Sequence, residues 1–378
     1  MMLPNGWKKV KLGQIMSFKN GLNFSQVSNG KELNFLGVSN FKSRKFISSE
    51  AQLDKIYLAD FPNDDYLLKK DDLVFVRSNG SKDLVGRCVK MNESFSKTTF
   101  SGFCIRGRLS SSETTADYIL HFIECGFLKD KLRRESRGTN ISNLNQDILD
   151  DFDIMLPPIE EQRKIAATLS VWDSAIEKME KLIDAKENEL NIVLRQKLLE
   201  KGIALKWKEI PLTEILKSVT PPSKIHQDSY LNSGKYPIVD QSKDLIAGWT
   251  NDESSVLKIN RPLIIFGDHT CALKIMHMPF AQGADGIKIL SAKDGYDPTY
   301  IYYAIKANPV IPEGYKRHFS ALMLKSILCP SLEEQKKYAV YFKSLDEELS
   351  LLKQQLENYK KQKQGLMQKL LTGQWRVK

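Results

Sequence analysis

The chain has little of what most enzymes need. Its five cysteines (Cys88, Cys104, Cys125, Cys271 and Cys329) lie far apart and form no CxxC pair. That excludes a zinc ribbon and a disulfide framework, and it fits a reducing, cytoplasmic setting. The five histidines (His121, His226, His269, His277 and His318) are scattered, with no HExxH or other metal-ligand spacing. There is no GxxxxGK[ST] phosphate loop, no GxGxxG after a strand and no GxSxG elbow, so the usual marks of NTPases, dinucleotide enzymes and serine hydrolases are missing. "PNDDYLLKK" (62–70) has carboxylates ahead of lysines, as some nucleases do, but acids and lysines are common enough here for chance to explain it. Cys271, beside His269, reads as a small core residue and not as a nucleophile. No run approaches the ~18–20 apolar residues of a membrane span. The opening "MMLPNGWKKVKLG" lacks an apolar segment followed by a cleavage site, so neither signal peptide nor membrane is expected. These absences lead to the expectation that the chain performs no chemistry itself and holds no metal or cofactor of its own.

What the chain has is length, positive charge and repetition. Its 378 residues suffice for two or three domains, and 42% hydrophobic with 27% charged residues describes a globular protein. The net charge is +10. The surplus lies in residues 1–155 (23 Lys/Arg against 19 Asp/Glu), 206–328 (15 against 12) and the tail 329–378 (10 against 6), and it raises the odds of a polyanionic partner. "PPIEEQRKI" (157–165) returns as "PSLEEQKKY" (330–338) at a fixed offset of 173 residues. Behind the first copy, Ile165, Trp172, Met179 and Val193 alternate with Leu169, Ile176, Ile183 and Leu190. Behind the second, Tyr338, Leu345, Leu352, Tyr359 and Leu366 alternate with Phe342, Leu349, Leu356 and Leu370. A period of 3.5 predicts two long helices of about 40 residues, roughly 60 Å each, that pack antiparallel through a coiled-coil seam. Proline followed by Glu160 and Glu161 predicts the helix starts, and Gly202 and Gly373 after leucine pairs predict C-caps.

A second repeat begins where each helix ends. "WKKVKLGQI" from Trp7 matches "WKEIPLTEI" from Trp207, and a truncated third copy, "WRVK" (375–378), closes the chain. The order is therefore circular, and the final stub is expected to dock on the N-terminal domain. Four segments follow: a globular block 1–155, a helix 156–205, a second block 206–328, and a helix with the stub, 329–378. The fold expected is α+β, two globular α/β blocks alternating with two long antiparallel helices in pseudo-twofold order. The blocks share an order of elements but little sequence. "DDLVFVRSNG" (71–80) echoes "NRPLIIFGDH" (260–269), and the amphipathic helix of 117–132 echoes that of 298–307.

Taken together, these motifs resemble the specificity subunit of type I restriction–modification systems, over essentially the whole chain. The resemblance rests on the doubled Pro-x-x-Glu-Gln helix start and the terminal "KLLTGQWRVK". It implies two target recognition domains, each reading half of a split double-stranded DNA sequence. It also implies helices that hold the halves apart and carry two methyltransferase subunits, with restriction subunits completing the assembly. S-adenosylmethionine would sit on the methyltransferase, and ATP with Mg on the restriction subunit.

A separation of one to two turns of DNA, about 34–36 Å each, suits such helices. Arginine reads guanine and Asn or Gln reads adenine by bidentate geometry. In the first block the DNA-binding candidates are Arg77, Asn79 and Lys82 in one loop, and Arg133, Arg134, Arg137, Thr139, Asn140, Ser142 and Asn143 in another. In the second block they are His269, Thr270, Gln282, Lys316, Arg317 and His318, with Lys243 and Trp249 weaker. Two rivals share parts of this pattern: a coiled-coil adaptor that does not touch DNA, and a detached recognition subunit of a combined cutter–methylase.

Overall fold

The computed structural model describes residues 3–41, 44–79, 82–135, 143–283, 286–314 and 316–377. In chain order the first block contains β1 (Lys8–Lys11), β2 (Met16–Asn20), β3 (Lys31–Leu36), β4 (Phe46–Ile47), β5 (Asp54–Leu58), β6 (Leu73–Val76), β7 (Cys88–Met91), β8 (Thr98–Phe100) and β9 (Cys104–Leu109). There follow α1 (Ala116–Glu124), α2 (Phe127–Glu135), α3 (Gln146–Asp150) and β10 (Asp153–Leu156), then the long α4 (Ile159–Leu194). A π-helical turn (Arg195–Glu200) extends α4 into α5 (Lys201–Ala204).

The second block has β11 (Lys208–Pro211), α6 (Leu212–Ile215), β12 (Leu216–Ser218), β13 (Tyr236–Val239), β14 (Gly248–Thr250), β15 (Val256–Leu257), β16 (Leu263–Gly267), β17 (Leu273–Met276), β18 (Phe280–Gln282) and β19 (Ile287–Ala292). It ends with α7 (Pro298–Ala307), α8 (Phe319–Met323) and β20 (Ser326–Cys329), and α9 (Leu332–Leu371) is the second long helix.

The chain divides into two compact units, and neither boundary follows the ends of the blocks. One unit is Met1–Lys178 with Leu356–Lys378, and the other is Met179–Gln355. Each therefore holds one block together with a stretch of both long helices. In the first unit the main sheet runs β2-β9-β6-β7-β4 and a smaller one β5-β3-β8. β6 is buried at all four positions, because alternate side chains enter different cores: Leu73 and Phe75 join one cluster, Val74 and Val76 another. That two-faced burial explains why its sequence, LVFV, is apolar throughout rather than alternating. The first of those clusters also takes in Ile165 and Leu169 of α4 and Met367, Leu370 and Leu371 of α9, so block and helices share a core. In the second unit the corresponding sheet is β12-β19-β16-β17, beside β14-β13-β18-β15.

The doubled motif acquires a physical meaning here. Gln162 donates from Nε2 to the Pro157 carbonyl (2.8 Å), and its Oε1 accepts from the Thr115 amide (3.3 Å). Gln335 does the same with Pro330 (3.0 Å) and Asp297 (3.0 Å). Thr115 and Asp297 are in turn the N-caps of α1 and α7, accepting from the Tyr118 amide (3.3 Å) and the Tyr300 amide (2.8 Å). One buried amide thus fixes where the long helix starts and where the block's own helix begins. The hydroxyls of Tyr118 and Tyr300 complete the match, donating to the Met155 carbonyl (2.6 Å) and the Leu328 carbonyl (2.5 Å) of the strands ahead of the two prolines.

The helices run antiparallel within each unit. In the first, Trp172 meets Tyr359 edge to face at 6.0 Å and Asp173 pairs with Lys363 (2.6 Å). In the second, Lys186 pairs with Glu348 (3.3 Å) and Lys353 with Glu187 (2.5 Å). The seam residues named above are buried or half-buried. Gly373 is a C-cap, with φ +73°. Gly202 is not: it lies inside α5, and a Cβ there would stand 2.9 Å from the Trp207 ring and 3.0 Å from Leu328. Its glycine serves close packing instead, and the helix stops at Lys206, with φ +53°. The single helix expected over 117–132 is two, α1 and α2, broken at Gly126, whose φ is +100°. The stub docks on the first unit: Arg376 grips Glu161 with Nε (2.6 Å) and Nη2 (2.8 Å), and Glu161 also accepts from the Trp7 indole (3.1 Å).

Candidate nucleic-acid interface

The two loops that the sequence singled out in the first block meet. β6 ends at Val76, and Arg77, Ser78 and Asn79 follow it to the mouth of the sheet. The Arg77 amide donates to the Phe103 carbonyl (2.8 Å), and the Leu144 amide donates to the Arg77 carbonyl (2.8 Å). Ser78 and Asn143 form an antiparallel bridge. Asn145 then caps α3, its Oδ1 accepting from the Ile148 amide (2.8 Å). Arg77 is half-buried, with Nη1 reaching the Gly102 carbonyl at 3.5 Å. Asn79 is half-buried and Asn143 exposed. Arg133 and Arg134 are exposed in the last turn of α2, where Arg134 Nε donates to the Asp130 carbonyl (3.2 Å). Arg137, Thr139, Asn140 and Ser142 lie outside the described residues, as does the side chain of Lys82.

The turn between β8 and β9 adds a residue that the sequence reading missed. Phe103 has 59% of its surface exposed, although its carbonyl accepts from both the Arg77 and Ser78 amides. A large apolar side chain exposed to solvent on a backbone held beside Arg77 suits contact with a thymine methyl or a base step. Nothing in "SGFC" separates it from a core phenylalanine. Its exposure comes from the turn that Ser101 closes, where the Cys104 amide donates to the Ser101 carbonyl (2.8 Å).

The second block repeats the arrangement with other atoms. Gly267 ends β16, and Asp268 follows, 6% exposed. Its carboxylate Oδ1 accepts from the amides of His318 (3.0 Å) and Phe319 (2.9 Å). The loop after the central strand is thus tied to the loop ahead of α8, as Ser78 is tied to Asn143 ahead of α3.

His318 is part of that tie and is 2% exposed. Its Nε2 accepts from the Glu313 amide (3.0 Å), which leaves Nδ1 as the donor to the Asp268 carbonyl (3.2 Å). Its ring is occupied inside the loop and not presented to a ligand. Gln282, 4% exposed in β18, is likewise turned inward. Lys316 and Arg317 are exposed on the loop, Lys316 pairing with Glu313 (2.6 Å). Thr270 is exposed and donates to the Gln241 carbonyl (2.6 Å), and His269 beside it is half-buried. Lys243 is exposed and lines a cavity elsewhere in the unit, and Trp249 is half-buried in β14.

One cluster in the first unit has the donor set of a metal site: His121, Glu124 and Asp173 converge. Cations already reach it from the chain itself, since Lys45 approaches Asp173 (2.5 Å) and Glu124 (2.9 Å), and Lys363 approaches Asp173 (2.6 Å). Burial alone would raise the Glu124 pKa. The His121 ring, 3.4 Å away, and the charges of Lys45 and Lys363 outweigh it and bring the carboxyl down to about 2. Burial likewise works against the charge of Lys45, but Glu124 and Asp173 prevail and raise its pKa. These groups form a buried ionic joint between block and helices rather than a metal centre.

The comparisons with known proteins fit this architecture. Residues 4–187 match the family described as type I restriction modification DNA specificity domain. The chain is similar in sequence and in fold to type I restriction–modification specificity subunits. It is 26% identical to the putative type I restriction enzyme MjaX specificity subunit of Methanocaldococcus jannaschii, over all of this chain and 95% of that one. It is 30% identical to the type I restriction enzyme StySPI specificity subunit of Salmonella potsdam, over 52% of this chain and less than half (42%) of that relative. A crystal structure of the type I S subunit from M. genitalium shares the fold, with a TM-score of 0.58 and 16% identity over 98% of both chains. A chain from a study of type I assembly and conformational transition does so equally, at 0.58 and 16%. Among the described residues, no helix is long and apolar enough to cross a membrane.

Proposed function

We propose that this chain reads a split sequence in double-stranded DNA, one half with each globular block, as the specificity subunit of a type I restriction–modification enzyme. The observation that carries the reading is the repeated junction. In each block the loop leaving the central strand is tied to the loop ahead of a short helix, through Ser78 and Asn143 in one and Asp268 and His318 in the other. At these junctions lie Arg77, Asn79, Phe103 and Asn143 in the first block, and His269, Thr270, Lys316 and Arg317 in the second, with Arg133 and Arg134 exposed at the end of α2. Arginine and amide groups next to an apolar side chain can read base edges, while outlying arginines and lysines settle on phosphates and fix the register. Gln282 and His318 leave the list of base readers because they are buried.

On this reading the chain brings no catalytic group of its own. Two methyltransferase subunits, supplied with S-adenosylmethionine, and the ATP- and Mg-dependent restriction subunits dock on the paired helices. The test is adenine-methylation mapping of genomic DNA with the companion subunits present, with and without this chain. A two-part motif that disappears with the chain supports the reading. Methylation that is indifferent to the chain, together with no salt-dependent retention on DNA, would leave it a coiled-coil adaptor.

A further inference from the structure

The two blocks differ at one place where their frameworks agree. In the first unit β4 lies at the edge of the main sheet, parallel to β7, with Phe46 opposite Lys90 and Ile47 opposite Met91. The Lys90 amide donates to the Lys45 carbonyl (2.9 Å) and the Asn92 amide to the Ile47 carbonyl (3.0 Å). Phe46 packs on the block's core, and Lys45 reaches between α1 and α4 to Glu124 and Asp173. The segment 44–47 thus seals a corner made by an edge strand, a block helix and a long helix.

The second unit has the same corner without the seal. Among the described residues β17 pairs only with β16 and ends its sheet. Tyr300 and Gln335 repeat the contacts of Tyr118 and Gln162, so Lys306 stands where Glu124 does and Asp346 where Asp173 does. In place of a β4 there is a cavity of about 390 Å³, lined by Leu273 and Ile275 of β17, Tyr302 and Tyr303 of α7, and Lys343 and Asp346 of α9. That volume falls within the ~300–1,000 Å³ typical of ligand pockets. Leu245 on its wall is 51% exposed, and Met278, just beyond β17, is 52% exposed.

We propose that the open edge of β17 and this cavity dock an extended segment of a partner protein, added as a strand parallel to β17, with apolar side chains in the cavity and a carboxylate where Lys45 lies in the first block. An unpaired edge offers the backbone groups that such strand addition uses. The sign of the charge follows from the exchange of Glu124 for Lys306. In the first unit the corner is acidic and takes a lysine. In the second, Asp346 is already paired with Lys306 at 3.0 Å, and the lining carries Lys243, Lys274 and Lys343 against Asp346 and Glu347. Partial burial and the nearby Lys343 ammonium hold the His277 imidazole on the same wall below its usual pKa, which fits an electropositive corner.

The full-length chain can be titrated with two fluorescent peptides. One has the sequence of its own residues 41–50, FKSRKFISSE, and the other is the same peptide with Lys45→Glu. The Glu peptide is expected to bind at least tenfold more tightly and to slow amide exchange in residues 273–276. Ser350→Trp, an exposed α9 position that lines the cavity, should weaken that binding at least tenfold and leave DNA retention unchanged. Lys343→Glu should reverse the preference between the peptides. Absence of binding by either peptide, or binding indifferent to both substitutions, overturns the proposal. Either result leaves the DNA reading standing, because no residue of that reading is altered.

Discussion

At the scale of single residues, the glutamine of the doubled motif carries the most structure. Gln162 and Gln335 are fully or nearly fully buried, and each satisfies a helix-start carbonyl and a neighbouring amide. Leaving two buried polar groups unpaired costs about 1–3 kcal/mol each. Gln162→Ala should therefore lower the first unit's urea midpoint well below the second's, and Gln335→Ala should do the converse, followed by tryptophan fluorescence at Trp7 and Trp172 against Trp207 and Trp249. A single shared loss of stability would contradict the independence of the two pins. The glutamines were legible as a repeat but not as pins, because their partners Thr115 and Asp297 lie 47 and 38 residues upstream. The same holds for the candidate readers. Arg77 and Asn143 were picked out separately from loop composition, and only the fold shows that they share a site. His318 looked like an exposed basic-loop residue, yet it is buried by Asp268, 50 residues away. Phe103→Ala is expected to weaken binding of the cognate DNA by roughly 10- to 100-fold, the worth of one base contact at ~1–3 kcal/mol. Competition binding against a scrambled half-site measures it, and an equal loss on both DNAs would remove Phe103 from sequence reading.

Among the elements, the long helices were the most legible, since a 3.5-residue period marks a buried seam whatever lies around it. The breaks were less so. Gly126 interrupts a continuous amphipathic pattern, and Gly202 imitates a cap while sitting inside a helix. Lys363, at a seam position of α9, breaks the apolar period and is 5% exposed. Its reason is the joint with Glu124 and Asp173. Because the folded pKa of Glu124 is depressed from 4.5 to about 2, its contribution is complete above the unfolded value and fades as pH falls from about 4.5 toward 2. It amounts to something on the order of 3 kcal/mol. Stability measured across that window should drop more steeply in the parent than in Glu124→Gln. Equal slopes would mean that the joint does not report on Glu124.

For the whole molecule, the order of domain, helix, domain, helix and stub was readable because tandem copies keep the residues that pack against the shared helices, while the loops diverge. What the copies do with DNA should appear in the salt dependence of binding. Arg133→Ala and Arg134→Ala, if those side chains neutralise phosphates, should each reduce the slope of log affinity against log salt by about one and weaken cognate and unrelated DNA alike. A loss confined to the cognate sequence would move them to base reading. The ionic joint also decides whether the two blocks could be exchanged. The first block contributes Glu124 and Lys45, and its helices answer with Asp173 and Lys363. At the place on α4 that answers to Lys363, 173 residues earlier, stands Leu190, 4% exposed. Moved next to Asp346, the first block would bring a buried carboxylate with one lysine too few to match it. The second block, bringing Lys306, would find Asp173 already paired with Lys363 and leave one lysine too many. Exchange of the two blocks would therefore leave opposite charges unmatched: one arrangement needs a basic residue at position 190, and the other needs the charge of Lys363 removed.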